Sequence, residues 1–247
     1  MKRIISTFIF CLSLTIGISQ TAGQVANYGA AGSSANASVG QLNTILGSIQ
    51  DSNKRLSFID GDIQGSPYTT QIFLPTQLYY GDENMGNMFY RYNAFNEEIE
   101  IKQTNLESEG IKSLGRDKKI SILVNGLPMS FITFIDKKGT TQNGYLTKLS
   151  EGKYALYRRT DVKYTEGQKA QNSFVKAIPA RFSKFTEYYL GIEGVNRIDE
   201  LELRNRKLIK LVPEDKKEAL KVYLKENDIR INNEASVIKV LDFLNKG

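Results

Sequence analysis

Between Leu56 and Val212 the chain repeats one pattern: a short run rich in Tyr, Phe, Ile, Val or Thr, then a break of Gly, Asn or Asp. Aromatic and β-branched side chains fill a pleated, half-buried surface well, and the breaks are turn residues, so the pattern predicts strands joined by hairpins. The expected strands are Gln71 to Tyr80, Met88 to Asn93, Glu98 to Gln103, Lys119 to Val124, Met129 to Ile135, Gly144 to Leu149, Tyr154 to Asp161, Phe182 to Leu190 and Glu200 to Leu211. Ile99 and Ile101 alternate with Glu98, Glu100 and Lys102, which predicts one buried and one wet face. Asn125-Gly126 marks a two-residue turn, with Pro128 placed to delay re-entry into the ladder.

The pattern changes at Pro213. Proline at a helix start, then Glu214 and Asp215, then the apolar face of Leu220, Tyr223 and Leu224 predict one helix. A second is expected after a cap at Asn232 or Asn233, with Val237, Val240, Leu241 and Leu244 facing inward. The expected fold is mainly β: an antiparallel meander forming a sandwich or rolled sheet, with two short C-terminal α-helices packed on it.

The start of the chain reads as an export signal. Lys2 and Arg3 precede an apolar run from Ile4 to Ile18, followed by small residues near Ala22 and Gly23. That run of about 15 residues is shorter than the roughly 20 that span a bilayer. Cleavage is placed after Gly23, with Ser19 as the alternative, so residues 1–23 are the signal peptide. Residues 24–55 read as a Gly/Ala/Ser-rich flexible lead, in which Leu42, Ile45 and Ile49 fit a short helix or a pairing segment. Residues 56–212 form the β domain and 213–247 the helical pair. The expected location is the periplasm or the periplasmic face of the outer membrane, with no transmembrane span and with peripheral membrane association left open.

Either cut removes Cys11, the one cysteine, and the chain has no histidine. Disulfides, zinc and iron–sulfur ligation, and Ser-His or Cys-His catalysis then lose their usual residues. Carboxylate, hydroxyl, lysine and oxygen-ligand chemistry is what such a chain retains. Asp60 and Asp62, with Gly65 following, imitate the opening of a calcium loop, but the twelfth position is Gln71 where a bidentate Glu is required. A polar turn accounts for them, so no cofactor is expected, with calcium at Asp60 and Asp62 as the alternative. Glu97, Glu98 and Glu100 could supply the acid pair of a glycoside hydrolase, yet the chain has no tryptophan to form a sugar platform.

Charge is unevenly spread. Residues 51–100 carry eight acids against Lys54, Arg55 and Arg91, whereas residues 148–187 carry nine bases against four acids. Either the two blocks face each other across strands, or the basic block meets an anionic surface. Nucleic acid is excluded as a partner by export, and removing Lys2 and Arg3 takes two from a formal charge of only +6. Tyr90, Arg91 and Tyr92, with Tyr157, Arg158 and Arg159, have the composition that protein interfaces favour and form the candidate partner surface, with half-buried sheet packing as the alternative for the tyrosines.

The runs GSPY at Gly65 to Tyr68, LYYGD at Leu78 to Asp82, RYNAFNEEIEIK at Arg91 to Lys102 and GYLTKLSEGKYALYRR at Gly144 to Arg159 resemble those of uncharacterised exported β-rich proteins common in Bacteroidota. The resemblance implies an envelope location and carries no activity. The expected function is a non-catalytic, exported subunit or docking module of an envelope protein assembly. The alternatives are a β module binding a small ligand or glycan in a cavity lined by Phe131, Phe134, Tyr145 and Tyr154, and a carboxylate-based hydrolase.

Overall fold

A computed structural model describes residues 45–48, 63–170, 174 and 176–246. The leader, most of the expected lead, and Asp60 and Asp62 lie outside the described residues. The fold is mainly β. Strands β1 (Leu46–Ser48), β3 (Leu74–Tyr80), β4 (Glu83–Asn93), β5 (Glu98–Lys102), β6 (Lys112–Leu114), β7 (Ile120–Val124) and β8 (Leu127–Ile135) lie in the order β1-β6-β5-β4-β3-β7-β8. Leu46 to Ser48, within the segment read as lead, is thus a pairing strand, opposite Leu114 to Lys112.

The sheet then rolls up on itself. β8 pairs with β9 (Thr141–Lys148), β9 with β10 (Tyr154–Thr165), β10 with β11 (Ala180–Ile192) and β11 with β12 (Ile198–Glu200). β12 returns to β8 through a parallel pairing of Asp199 with Ile135. These five strands close a ring, which removes the unpaired edges an open sheet would expose. The two-residue β2 (Ile63–Gln64) runs parallel to the start of β11.

The Asn125-Gly126 turn forms as expected, with both residues at positive φ and Val124 opposite Leu127. Pro128 does not delay the strand. Leu123, opposite it, directs its N–H and C=O to Thr76 Oγ at 3.0 and 2.8 Å, so that rung needs no proline N–H.

Two further sequence expectations are corrected. Glu200 to Leu211 is not a strand: β12 ends at Glu200, and α1 (Asn205–Leu211) follows. The Leu201-x-Leu203 alternation imitates a strand, but Leu208 and Val212 lie four apart and both bury against the helices. Asn205 fixes this turn by accepting from Ile231 N–H at 2.8 Å and donating to Ile229 C=O at 2.7 Å. The C-terminal unit therefore has three helices: α1, α2 (Glu214–Glu226) and α3 (Glu234–Lys246). Asn233 caps α3 by accepting from Ser236 N–H at 2.9 Å.

The second correction concerns β5. Ile99 and Ile101 are buried, and so are Glu100 and Lys102 on the opposite face, at 2% and 8% exposure. Tyr68, Phe73 and Arg91 cover that face, a long-range contact to which strand alternation is blind.

Strand alternation sorts the core into three parts. Under the first sheet lie Leu78, Tyr92, Ile99, Ile101, Ile122 and Tyr145. On β10, Tyr154 and Leu156 turn outward to meet Leu220, Val237, Val240, Leu241 and Leu244 of the helices. Tyr157, on the other face of β10, turns into the ring with Phe134, Leu146 and Tyr189.

Candidate functional site

Arg159 follows Tyr157 on the inward face of β10, and the ring surrounds its guanidinium with acids. Nε donates to Glu97 at 3.0 Å, Nη1 to Glu187 at 2.8 Å and Nη2 to Asp161 at 3.2 Å, with a second, shorter bond from Nη2 to Glu97. The guanidinium is only 15% exposed. Burial disfavours its charge, but Glu97, then Glu187 and Asp161, outweigh that and hold it more firmly cationic than usual.

Glu97 is the most constrained member. Its backbone sits at φ 53°, a left-handed conformation that a side chain rarely adopts, at the turn between β4 and β5. Its carboxylate accepts from Tyr92 O–H at 2.6 Å and from Tyr145 N–H at 3.1 Å as well as from Arg159. Residue 144 must be glycine here: a Cβ would lie 2.9 Å from Glu97 Oε1. Burial, and after it the Glu97 carboxylate, raises the Tyr92 hydroxyl well above its ordinary pKa. Tyr189 donates to Glu187 at 2.9 Å and is likewise raised, by burial first and then by Glu187. Every carboxylate in the cluster has Arg159 as a partner, so the group works as a clamp between the β4–β5 turn and the ring.

Phe134 is the wall between this clamp and a cleft. Arg159 lies 5.4 Å from its ring centre, and Tyr189 packs on it at 4.6 Å. On the far side opens a cleft of about 1200 Å3, with Phe131, Ile132, Phe134, Tyr157 and Ile198 among its apolar lining. Tyr157 fits because position 191 has no side chain: a Cβ on Gly191 would come within 2.9 Å of its ring. Burial raises the Tyr157 pKa, so its hydroxyl stays a donor. The lining also includes Arg116, Lys118, Lys148, Lys153 and Arg197, against Asp117 and Glu193. Lys148 and Arg197 are paired with Glu151 and Asp199, whereas no carboxylate among the described residues lies within ion-pair distance of Lys118 or Lys153.

The six residues of the expected partner surface are dispersed. Tyr90 and Tyr92 are core side chains at 6% and 2% exposure. Arg91 binds Glu100 through two nitrogens, at 2.9 and 2.5 Å, and lies 4.1 Å over the Tyr68 ring. Arg158 faces the helices and pairs with Glu234 at 3.1 Å. Only Tyr92 and Arg159 meet, through Glu97, and only Tyr157 lines the cleft. Of the expected cavity residues, Phe131 and Phe134 line the cleft while Tyr145 and Tyr154 are buried elsewhere. Sequence reading missed Asp161 and Glu187. The available signal was an arginine at an inward position of a strand, two residues from Tyr157 and two from Asp161, which demands buried counter-charges.

Among the described residues no cluster of three or more acids has a metal-holding arrangement, and no helix is long and apolar enough to cross a membrane. No protein-family model, curated protein or solved structure matches the chain. What the site does is read from its own geometry.

Proposed function

We propose that this chain is an exported binding protein whose cleft holds an amphipathic molecule with an apolar body and an anionic group. One observation carries the reading: an open cleft lined both by apolar Phe131, Ile132, Phe134 and Ile198 and by Lys118 and Lys153, which have no carboxylate partner among the described residues. Apolar surface supplies affinity, and a few charges at the mouth orient the ligand. The Arg159 clamp packs on Phe134 and holds that part of the lining in place. Export rests on the basic, then apolar, then small-residue order of the first 23 residues. A docking module built on the Tyr–Arg runs would have to use other side chains, because Tyr90 and Tyr92 are interior.

The test is titration with a dansyl-labelled fatty acid and with the matching neutral alcohol. Saturable binding of the acid is expected, weaker binding of the alcohol, and a drop in acid affinity of about tenfold for the Lys118→Glu, Lys153→Glu pair. Equal binding of acid and alcohol, or acid binding untouched by the charge reversals, would refute the reading.

A further inference from the structure

β10 and β11 continue as a two-stranded ribbon well beyond the ring. β9 pairs with β10 only at Tyr157 and Arg158, and β12 pairs with β11 only from Tyr189 to Gly191. From Arg159 to Thr165 and back from Arg181 to Glu187 the two strands hold each other, with β2 beside Ala180 and Arg181. One face of this extension is covered: Val162 is buried in the first core, and Tyr164 and Phe182 pack on Phe95.

The other face is open. Lys163, Phe185 and Arg181 stand there, with Lys163 Nζ 5.1 Å from the Phe185 ring centre and Phe185 45% exposed. The connection past the ribbon adds Ile178 at 56% exposure, with Lys169 and Lys176 also exposed. The cations of the open face and the connection are thus Lys163, Lys169, Lys176 and Arg181; Lys163 also lies 3.5 Å from Asp161, which stands opposite Phe185, whereas Lys184 turns to the covered face and donates to Thr69 C=O at 3.1 Å. Large apolar side chains are rarely left this exposed beside several cations unless something apolar and anionic receives both.

We propose that the end of the β10–β11 ribbon is a peripheral anchor for an anionic lipid bilayer. Phe185 and Ile178 enter the boundary between headgroups and acyl chains, and the lysines remain among the headgroup charges. A bilayer suits these residues better than an acidic protein. Three of these four cations are lysines, which serve as mobile point charges, whereas fixed carboxylates are usually gripped by the planar fork of arginine. This inference is independent of what the cleft holds.

The experiment is sedimentation of the mature chain, residues 24–247, with vesicles of phosphatidylcholine alone and with vesicles also containing phosphatidylglycerol. Partition onto the anionic vesicles alone is expected, falling as salt is raised. Lys169→Gln and Lys176→Gln should each lower it about fivefold, the weight of one lysine at an anionic surface. Phe185→Ser should lower it at high salt, where the charge contribution is screened, with circular dichroism unchanged. Equal partition onto both vesicle types would overturn the proposal, as would anionic-vesicle binding indifferent to the lysine substitutions. Competition by polyglutamate that removes binding equally in the wild type and in Phe185→Ser would assign the ribbon to an acidic protein instead.

Discussion

The carboxylate of Glu97 accepts a hydrogen bond from Tyr92 on its own hairpin and from Arg159, 62 residues further along the chain. That single acid joins the β4–β5 turn to the inside of the ring. Replacing Arg159 with Met would leave Glu97 and Glu187 without a cationic partner and Asp161 with only Lys163, 3.5 Å away. Loss of a buried partner of this kind costs about 3 kcal/mol. Glu97→Gln keeps an acceptor for Tyr92 and Tyr145 and should cost less, about 1 to 2 kcal/mol. Urea unfolding of both variants checks the order, and a larger loss for Glu97→Gln would contradict the clamp.

Gly144 was selected by the same carboxylate. An added Cβ falls 2.9 Å from Oε1 and 3.1 Å from Cδ of Glu97, and the bonds to Tyr92, Tyr145 and Arg159 prevent that side chain from swinging away. Gly144→Ala should therefore destabilise the fold by about 1 to 3 kcal/mol. Most of that loss should vanish in a Glu97→Ala background, because the clashing atoms are gone. A double-mutant cycle with no coupling would place the strain elsewhere.

The tyrosines predict an alkaline limit. Burial, with help from Glu100, pushes Tyr68 up to about 12, and burial also raises Tyr92, Tyr145 and Tyr189. Their folded pKa lies above the ordinary value of 10, so the stability they contribute is complete below pH 10 and is lost as pH rises toward the folded values. Spectrophotometric titration should show Tyr68, Tyr92, Tyr145 and Tyr189 ionising only together with loss of near-ultraviolet dichroism. A single smooth titration of all 13 with the fold intact would be inconsistent with this burial.

Asn245 on α3 stitches the helices to the β9–β10 turn. It accepts from Tyr154 N–H at 2.7 Å and donates to the carbonyls of Glu151 and Tyr154, both at 3.1 Å. Gly152, at φ 104°, leaves it room. Asn245→Ala strands a backbone donor and should lower stability by about 1 to 3 kcal/mol. Hydrogen exchange at Tyr154 N–H should accelerate before the rest of β10, whereas unchanged protection there would show that the helices dock without this bond.

Local chemistry carried much of the fold. Strand alternation located most of β3 to β11, Asn125-Gly126 marked its hairpin, and acidic residues after Pro213 and the cap at Asn233 marked two helix starts. Each of these signals acts over a few residues, so it is present in the chain before any packing occurs. Ring closure through Asp199 and Ile135, the burial of Glu100 under Tyr68, and the meeting of Glu97 with Arg159 were decided only in three dimensions. The helical state of Asn205 to Leu211 was also decided there, since burial of Leu208 against α2 and α3 overrides a strand-like alternation. The physical reason is common to all four. A side chain's partners across the fold determine whether its charge or apolar surface can be buried, and those partners lie dozens of residues away, beyond the reach of any local pattern.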